Sequence, residues 1–194
     1  MNKDDFILKL YSLAQTVFST KEIALLFANV SYENIKARLN YYVKTGRLLS
    51  PSRGLYAKKD FNKLELATKI YTPSYISLET VLTEAGVVFQ TYETVMVISY
   101  VDRDVSLENN IKIKYKRISE KVLSDKTGVI EKDNYFMASV ERAFLDVIHL
   151  YKDYYFDNLS PIDWEKAFEI SLIYKSKILI KRLDSYYKLA KDNV

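Results

Sequence analysis

The chain has no cysteine. That excludes disulfide scaffolds, cysteine nucleophiles and thiolate metal centres, and it fits a reducing, cytoplasmic setting. Histidine occurs once, as His149. One imidazole excludes a histidine-rich metal centre and leaves a single candidate base for any Ser-His-Asp arrangement. Glycine (4) and proline (3) are scarce, which argues against collagen-like, linker-like or disordered character. Long apolar runs are missing too. The longest charge-free stretch, Leu10 to Thr20, has 11 residues and is too short to cross a bilayer, so no membrane partner is expected. The opening Met-Asn-Lys-Asp-Asp lacks the apolar segment of a signal peptide. There is no Gly-rich phosphate loop, no H-E-x-x-H and no G-x-S-x-G.

What remains is a chain of 194 residues, 48% hydrophobic and 28% charged, long enough for one generous domain or two small ones. Its net charge of +4 is unevenly spread. Residues 1–60 hold 10 Lys+Arg and 5 Asp+Glu, whereas residues 61–194 hold 19 and 20. All the excess positive charge lies in the first third, which suits a nucleic acid or another acidic partner.

In that third, Phe6, Ile7, Leu10, Leu13 and Ala14 mark one face of a helix from Asp4 to Ala14. Ser19-Thr20-Lys21-Glu22 is a capping box ahead of a short helix from about Thr20 to Phe27. Asn29-Val30-Ser31 reads as a turn, with Ser31 capping a helix from Tyr32 to Thr45. Ile35, Leu39, Tyr42 and Val43 form its apolar stripe, and Gly46 closes it. Two apolar runs, Arg47–Ser50 and Leu55–Lys58, flank Pro51-Ser52-Arg53-Gly54, the pattern of a β-hairpin with an arginine at its tip. Helix, helix–turn–helix and basic hairpin in that order make a winged helix-turn-helix over residues 1–60. The expected contacts to double-stranded DNA are Ser31, Tyr32, Asn34, Lys36, Arg38 and Lys44 on the third helix, with Arg53 on the wing.

Residues 61–194 read as a helix-rich domain around a small sheet, so the whole chain is α+β. Helices are expected over Asp60–Lys69 and Ser74–Ala85, over a segment capped by Ser139, over Asp163–Lys175 behind a Ser160-Pro161 cap, and over Ser176–Lys191. Strands are expected at Val87–Gln90, Thr94–Val101, Ile111–Arg117 and Val129-Ile130, with Asp102–Asn110 as a polar loop. In Ile111–Arg117 the alternation turns Ile111, Ile113 and Tyr115 inward and Lys112, Lys114 and Lys116 outward.

Evidence for catalysis is thin. Asp146 and His149, at i and i+3 on one helix, are spaced to meet, and a structural hydrogen bond is the commoner reason for such spacing. Convergence of Glu79, Glu141 and Asp146 is the other arrangement open to the sequence. No catalytic residue, metal or cofactor is assigned. Tyr151, Tyr154, Tyr155 and Phe156 form an aromatic cluster, read first as packing.

Three stretches share a further pattern. They are Arg53-Gly54-Leu55-Tyr56, the run from Tyr71 through Ser77-Leu78-Glu79-Thr80 to Leu82, and Ala138-Ser139-Val140-Glu141-Arg142-Ala143-Phe144-Leu145-Asp146 behind a strand of the form Ile-Lys-Tyr-Lys-Arg. Together they resemble the AbiEi family of antitoxin-type transcriptional regulators over nearly the whole chain. Val81 stands where the family usually has alanine, and Phe144 where it has leucine. The resemblance implies an antitoxin of a type IV toxin–antitoxin or abortive-infection (phage-defence) operon. Its N-terminal domain would bind inverted repeats in its own promoter and repress. Its C-terminal domain would counter a nucleotidyltransferase-type toxin, with or without a stable complex. Ser77, Glu79, Thr80, Glu141, Arg142 and Asp146 carry the family motifs. The two motif helices are expected to pack with Glu79 and Arg142 as a polar pair.

Three other readings stay open on sequence grounds. One is a stand-alone regulator whose C-terminal domain binds a ligand or protein. Another is an enzyme modifying a toxin or nucleotide. The third is an interaction module that never touches DNA.

Overall fold

The computed structural model describes residues 3–90, 92–108 and 110–192, with residues 3 and 4 as backbone only. Its first part contains α1 (Lys3–Ser12), β1 (Val17–Ser19), α2 (Thr20–Leu26), α3 (Tyr32–Lys44), β2 (Leu49–Ser52) and β3 (Leu55–Ala57). The capping box forms as its residues dictate. The Glu22 amide donates to Ser19 Oγ at 3.1 Å, and the Ser19 amide donates to the Glu22 carboxylate at 2.6 Å. The apolar stripes of the helices meet in one core of Phe6, Leu10, Ile23, Ile35, Leu39 and Tyr42. Phe6 stacks on Phe27 with centroids 4.0 Å apart. Burying each such side chain contributes about 1.5–3 kcal/mol. Gly46 stops α3 at φ +64°, which lets the Arg47 and Leu48 amides reach back to the Tyr42 carbonyl at 2.8 and 3.1 Å. The hairpin β2–β3 is joined by β1, and the sheet order is β1-β3-β2.

A helix from the second part, α4 (Lys63–Ile70), closes against this sheet. Glu65 on α4 is fully buried and accepts from the Thr16 amide (2.9 Å), the Thr16 hydroxyl (2.5 Å) and the Val17 amide (3.2 Å). Leu66 packs with Val17, Leu55 and Ala57. Lys58 is buried as well, and its ammonium donates to the Tyr11 and Leu13 carbonyls at the end of α1, where the helix dipole favours a cation.

The second part is built on a mixed six-stranded sheet. Its strands are β4 (Ser74–Ile76), β5 (Val95–Ser99), β6 (Arg103–Ser106), β7 (Lys112–Arg117), β8 (Val129–Lys132) and β9 (Tyr135–Ala138), in the order β6-β7-β5-β4-β9-β8. Pairs β4–β9 and β5–β7 are parallel, and the other three are antiparallel. Helices α5 (Glu79–Glu84), α6 (Glu120–Ser124), α7 (Val140–Leu150), α8 (Trp164–Ser171) and α9 (Lys177–Asp192), with a 3₁₀ turn at Leu172–Tyr174, complete it. The middle of α7 is buried from Glu141 to Ile148, because it packs against the sheet and against α5, α8 and α9.

The α+β class holds, with several corrections. Ser74–Ala85 is not one helix: Ser74–Ile76 is a central strand, and Leu78 turns the chain into α5 at φ 56°. Val87–Gln90 is not a strand; Val87 and Val88 are buried in a loop whose Val87 carbonyl accepts from the Asp157 and Asn158 amides. The expected Asp102–Asn110 loop contains β6, an exposed edge strand, and Asn109 lies outside the described residues. Helix α8 is capped by Asp163, which accepts from the Lys166 amide at 3.2 Å, and not by Ser160; it ends at Ser171 rather than Lys175. Ile113 and Tyr115 do point inward, but of the three lysines only Lys112 is exposed, and Lys114 and Lys116 are half-buried; Lys116 bridges to Asp102 at 3.5 Å. Tyr155 is 81% exposed and stands apart from the packed Tyr154–Phe156–Phe144 rings.

Candidate functional site

Helix α3 turns Ile35, Leu39 and Tyr42 into the core and leaves Tyr32, Asn34, Lys36, Asn40, Tyr41 and Lys44 exposed on the other side. Ser31 is also exposed; its hydroxyl accepts from the Asn34 amide at 3.4 Å and so caps the helix. Lys36 lies over the Tyr32 ring, 4.5 Å from its centroid, a pairing one turn apart that holds the ammonium at the helix surface. Arg38 differs from the others: it is half-buried, with its guanidinium 5.5 Å above the Phe6 ring at the edge of the core. Arg53 is exposed at the hairpin tip beside Gly54, whose φ is +76°. The tip is tied to the helices. Both the amide and hydroxyl of Thr20, the first residue of α2, donate to the Gly54 carbonyl at 3.0 and 3.2 Å. Six of the seven residues expected at a DNA surface therefore stand on exposed parts of α3, its cap and the hairpin tip, and the seventh braces the core.

The other six motif residues are buried or half-buried. Asp146 on α7 is fully buried and accepts from Ser77 (2.7 Å), Tyr75 (3.0 Å) and Tyr174 (2.6 Å). Arg142, one turn earlier and equally buried, has Nε 3.6 Å from the Asp146 carboxylate. Its other nitrogens donate to the Tyr75 hydroxyl (3.0 Å) and to the Val122 (2.8 Å) and Thr127 (2.8 Å) carbonyls. This cluster fastens the central strand β4, helix α7, the α6 region and the 3₁₀ turn to one another. Burial pushes the Tyr75 and Tyr174 phenols well above their ordinary range and the nearby Asp146 charge adds to it, so both remain protonated donors.

The expected Glu79–Arg142 pair is absent because Arg142 is taken up by Asp146, Tyr75 and backbone carbonyls. Glu79, at the start of α5, is also buried and has Tyr154 as its hydrogen-bond partner instead. Thr80 accepts from the Met96 amide at 2.8 Å, fixing α5 to β5. Glu141 accepts from the Asp163 amide at 3.4 Å, at the start of α8. Thus Glu79, Glu141 and Asp146 have separate partners. His149 packs its ring 5.1 Å from Tyr174 and lines a shallow cavity with Arg117 and Tyr100. Burial holds its imidazole below the usual range, opposed by the nearby Asp146 charge.

Sequence reasoning missed Tyr75 and Tyr174, the two phenols that complete the cluster. The only available signal was that aromatic residues with a polar tip are economical partners for a buried carboxylate. Among the described residues, no three histidine, aspartate or glutamate side chains are placed to hold a metal ion, and no helix is long and apolar enough to cross a membrane. Compared with known protein families and with curated proteins, the chain matches none.

Proposed function

We propose that residues 1–60 are a winged helix-turn-helix that reads duplex DNA, and that the chain is an antitoxin-like repressor of its own promoter. The observation that carries this reading is the surface made by α3 and the hairpin. Tyr32, Asn34, Lys36 and Lys44 are exposed on α3 and Arg53 at the hairpin tip; Tyr56 of the hairpin packs against the core that α3 helps to form, and Thr20 ties the tip to α2. A 13-residue helix is about 20 Å long and fits the major groove, which is about 12 Å wide. Asn34 near its N-terminus suits a base edge, while Lys36, Lys44 and Arg53 suit phosphates. The antitoxin role rests on the AbiEi resemblance of the motifs at residues 71–82 and 138–146. There the motif residues act as fasteners within the body, and the toxin would be met by another part of its surface. No catalytic step belongs to this reading.

The test is binding to the duplex upstream of the gene and to random duplex across a salt series. Replacing Lys36, Lys44 and Arg53 by alanine together is expected to weaken binding to both duplexes and to reduce the slope of log K against log salt by about 2.7, at about 0.9 per phosphate contact. Asn34→Ala is expected to reduce the preference for the upstream duplex. Arg38 is left out because its change would disturb Phe6. An unchanged slope and preference would overturn the reading.

One observation favours a second reading, a regulator controlled by a small ligand. A cleft of about 520 Å³ has Gln15 and Glu22 from the first part on one side and Lys69, Tyr75, Tyr135 and Phe136 from the second on the others. Promoter binding that depends on an added metabolite, with no toxin to neutralise, would support it.

A further inference from the structure

Two exposed features, one on each part of the chain, are complementary in shape and charge. The first is on α1, where Leu8 is 65% exposed and Tyr11 41%. With Ile7, Arg47 and Lys59 they line a groove of about 520 Å³. Its wall is fixed, because the Tyr11 hydroxyl donates to the Arg47 carbonyl at 2.7 Å. Arg47 and Lys59 are exposed, so an apolar floor carries two cations on its rim. An apolar patch with a polar rim marks a contact surface. The second feature is Tyr155, which at 81% exposure is the most exposed aromatic side chain among the described residues. Tyr154 and Phe156 on either side pack against each other, with centroids 4.8 Å apart, while Tyr155 stands out. Its segment is fastened. The Asp157 and Asn158 amides both donate to the Val87 carbonyl at 3.1 Å, and the Asp157 carboxylate accepts from the Phe89 amide at 2.8 Å. Asp153 and Asp157, two residues to each side of Tyr155, are exposed; Lys152 is the one cation nearby, one residue further out. A held, exposed phenol loses little conformational freedom on binding.

We propose that Tyr155 of one copy inserts into the α1 groove of a second copy, with Asp153 and Asp157 against the Arg47 and Lys59 rim. Both features are exposed within the single chain, so the occupant comes from another molecule. The wider charge agrees: residues 1–60 hold all the positive excess, and residues 61–194 have 19 Lys+Arg against 20 Asp+Glu. A tyrosine buries about 150–250 Å², far below the roughly 1,200 Å² of a stable interface, so the contact is weak and concentration-dependent. Knob and groove are different surfaces, which makes the contact head-to-tail. Two copies seated on one duplex would strengthen it through their proximity, but the contact itself does not depend on DNA.

The test is sedimentation equilibrium of the full chain without DNA, from micromolar to millimolar concentration, at low and at high salt. The average mass is expected to rise with concentration, and less so at high salt. Tyr155→Ser removes the knob and Leu8→Asp places a carboxylate in the groove. Each is expected to weaken self-association tenfold or more, with circular dichroism and urea unfolding as in the wild type, since both side chains are exposed. Lys59→Glu should weaken it as well, without touching an apolar residue. Mixing decides the pairing. The Leu8→Asp chain keeps the knob and the Tyr155→Ser chain keeps the groove, so the two are expected to associate with each other where neither associates with itself. A monomer mass throughout, self-association unchanged in either variant, or no association in the mixture overturns the proposal.

Discussion

Replacing Asp146 with alanine is the sharpest test of how the second part is held together. The change removes the acceptor for Tyr75, Ser77 and Tyr174 and the counter-charge of Arg142, all of them buried. Breaking a buried ion pair from one side costs about 3–5 kcal/mol, because the remaining charge stays in a low-dielectric setting. Arg142 keeps the Val122 and Thr127 carbonyls, which moderates the loss, while three orphaned hydroxyls add to it. The expected cost is about 4 kcal/mol, a large share of the roughly 5–15 kcal/mol that typically separates a folded domain from its unfolded chain. Urea unfolding followed by the fluorescence of Trp164, the single tryptophan, reads the right core, since its ring lies 5.8 Å from Phe144 on α7. Ser77→Ala, which removes one hydrogen bond to a charged group, should cost about 1.5–3 kcal/mol in the same assay. Replacing Arg142 and Asp146 together by Met and Leu should not restore stability, because the Val122 and Thr127 carbonyls lose their donor. Each such carbonyl costs about 1–3 kcal/mol when buried and unpaired. A loss below about 1 kcal/mol for Asp146→Ala, at unchanged m-value, would refute the idea that this cluster is a fastener.

Gly128 has φ +72°, and a Cβ there would lie 2.9 Å from Ile170 Cδ1 and 3.0 Å from Arg142 Cβ. Gly128→Ala should therefore cost more than the roughly 1–2 kcal/mol of a left-handed backbone alone, and a melting temperature within a degree of wild type would contradict this. Burial raises the Glu22 carboxyl, but Lys69 at 2.7 Å and the Ser19 amide outweigh it and hold it below its ordinary 4.5. The folded state thus holds the charged form more tightly than the unfolded chain does. The stability this gives is present above pH 4.5 and drains away as pH falls through the lowered folded value. Glu22→Gln should flatten that acid limb in a pH series of denaturation curves, and an unaltered limb would show that the Glu22–Lys69 contact contributes nothing.

Elements with a strong local signal were legible. The capping box at Ser19–Glu22, the stripe of α3 with its Gly46 stop, and the Ser139 cap of α7 each combine periodicity with a cap, and each formed near its expected bounds. The strand β4 was not legible, and the reason is physical. It lies between β5 and β9 with both faces buried, so Ser74-Tyr75-Ile76 shows no alternation, and the apolar spacing into Val81 and Leu82 imitates a helix. Nothing in the sequence marks Leu78 as the break, since a positive φ is usually left to glycine or asparagine. Edge strand β6 failed for the opposite reason: Arg103-Asp104-Val105-Ser106 is nearly all exposed and reads as a loop. On the candidate DNA surface, residue type and helical spacing were enough to separate outward from inward positions. Arg38 escaped because a half-buried arginine over a phenylalanine looks the same in sequence as one awaiting a phosphate.

The same contacts that stabilise the first part also fix where its basic groups stand. Thr20 ties the hairpin tip to α2, Lys58 holds the end of α1, and Glu65 grips the strand leading into α2 from a helix of the second part. A charge excess alone would attract any polyanion, with an affinity that salt erodes. Sequence reading requires more: side chains presented at fixed separations, so that base-edge groups reach their partners only when the phosphate contacts are also in register. Under the proposed reading, the hairpin tip carrying Arg53, the end of α1 and the strand before α2 are each fixed by such bonds, while α3 is held by the core it shares with α1 and α2. Glu65 belongs to α4, which also packs on β4, β5 and β9, so the surface is braced by the body rather than carried on a flexible arm. A change in the body that moves α4 would be felt first at Thr16 and Val17, and from there at the capping box of α2.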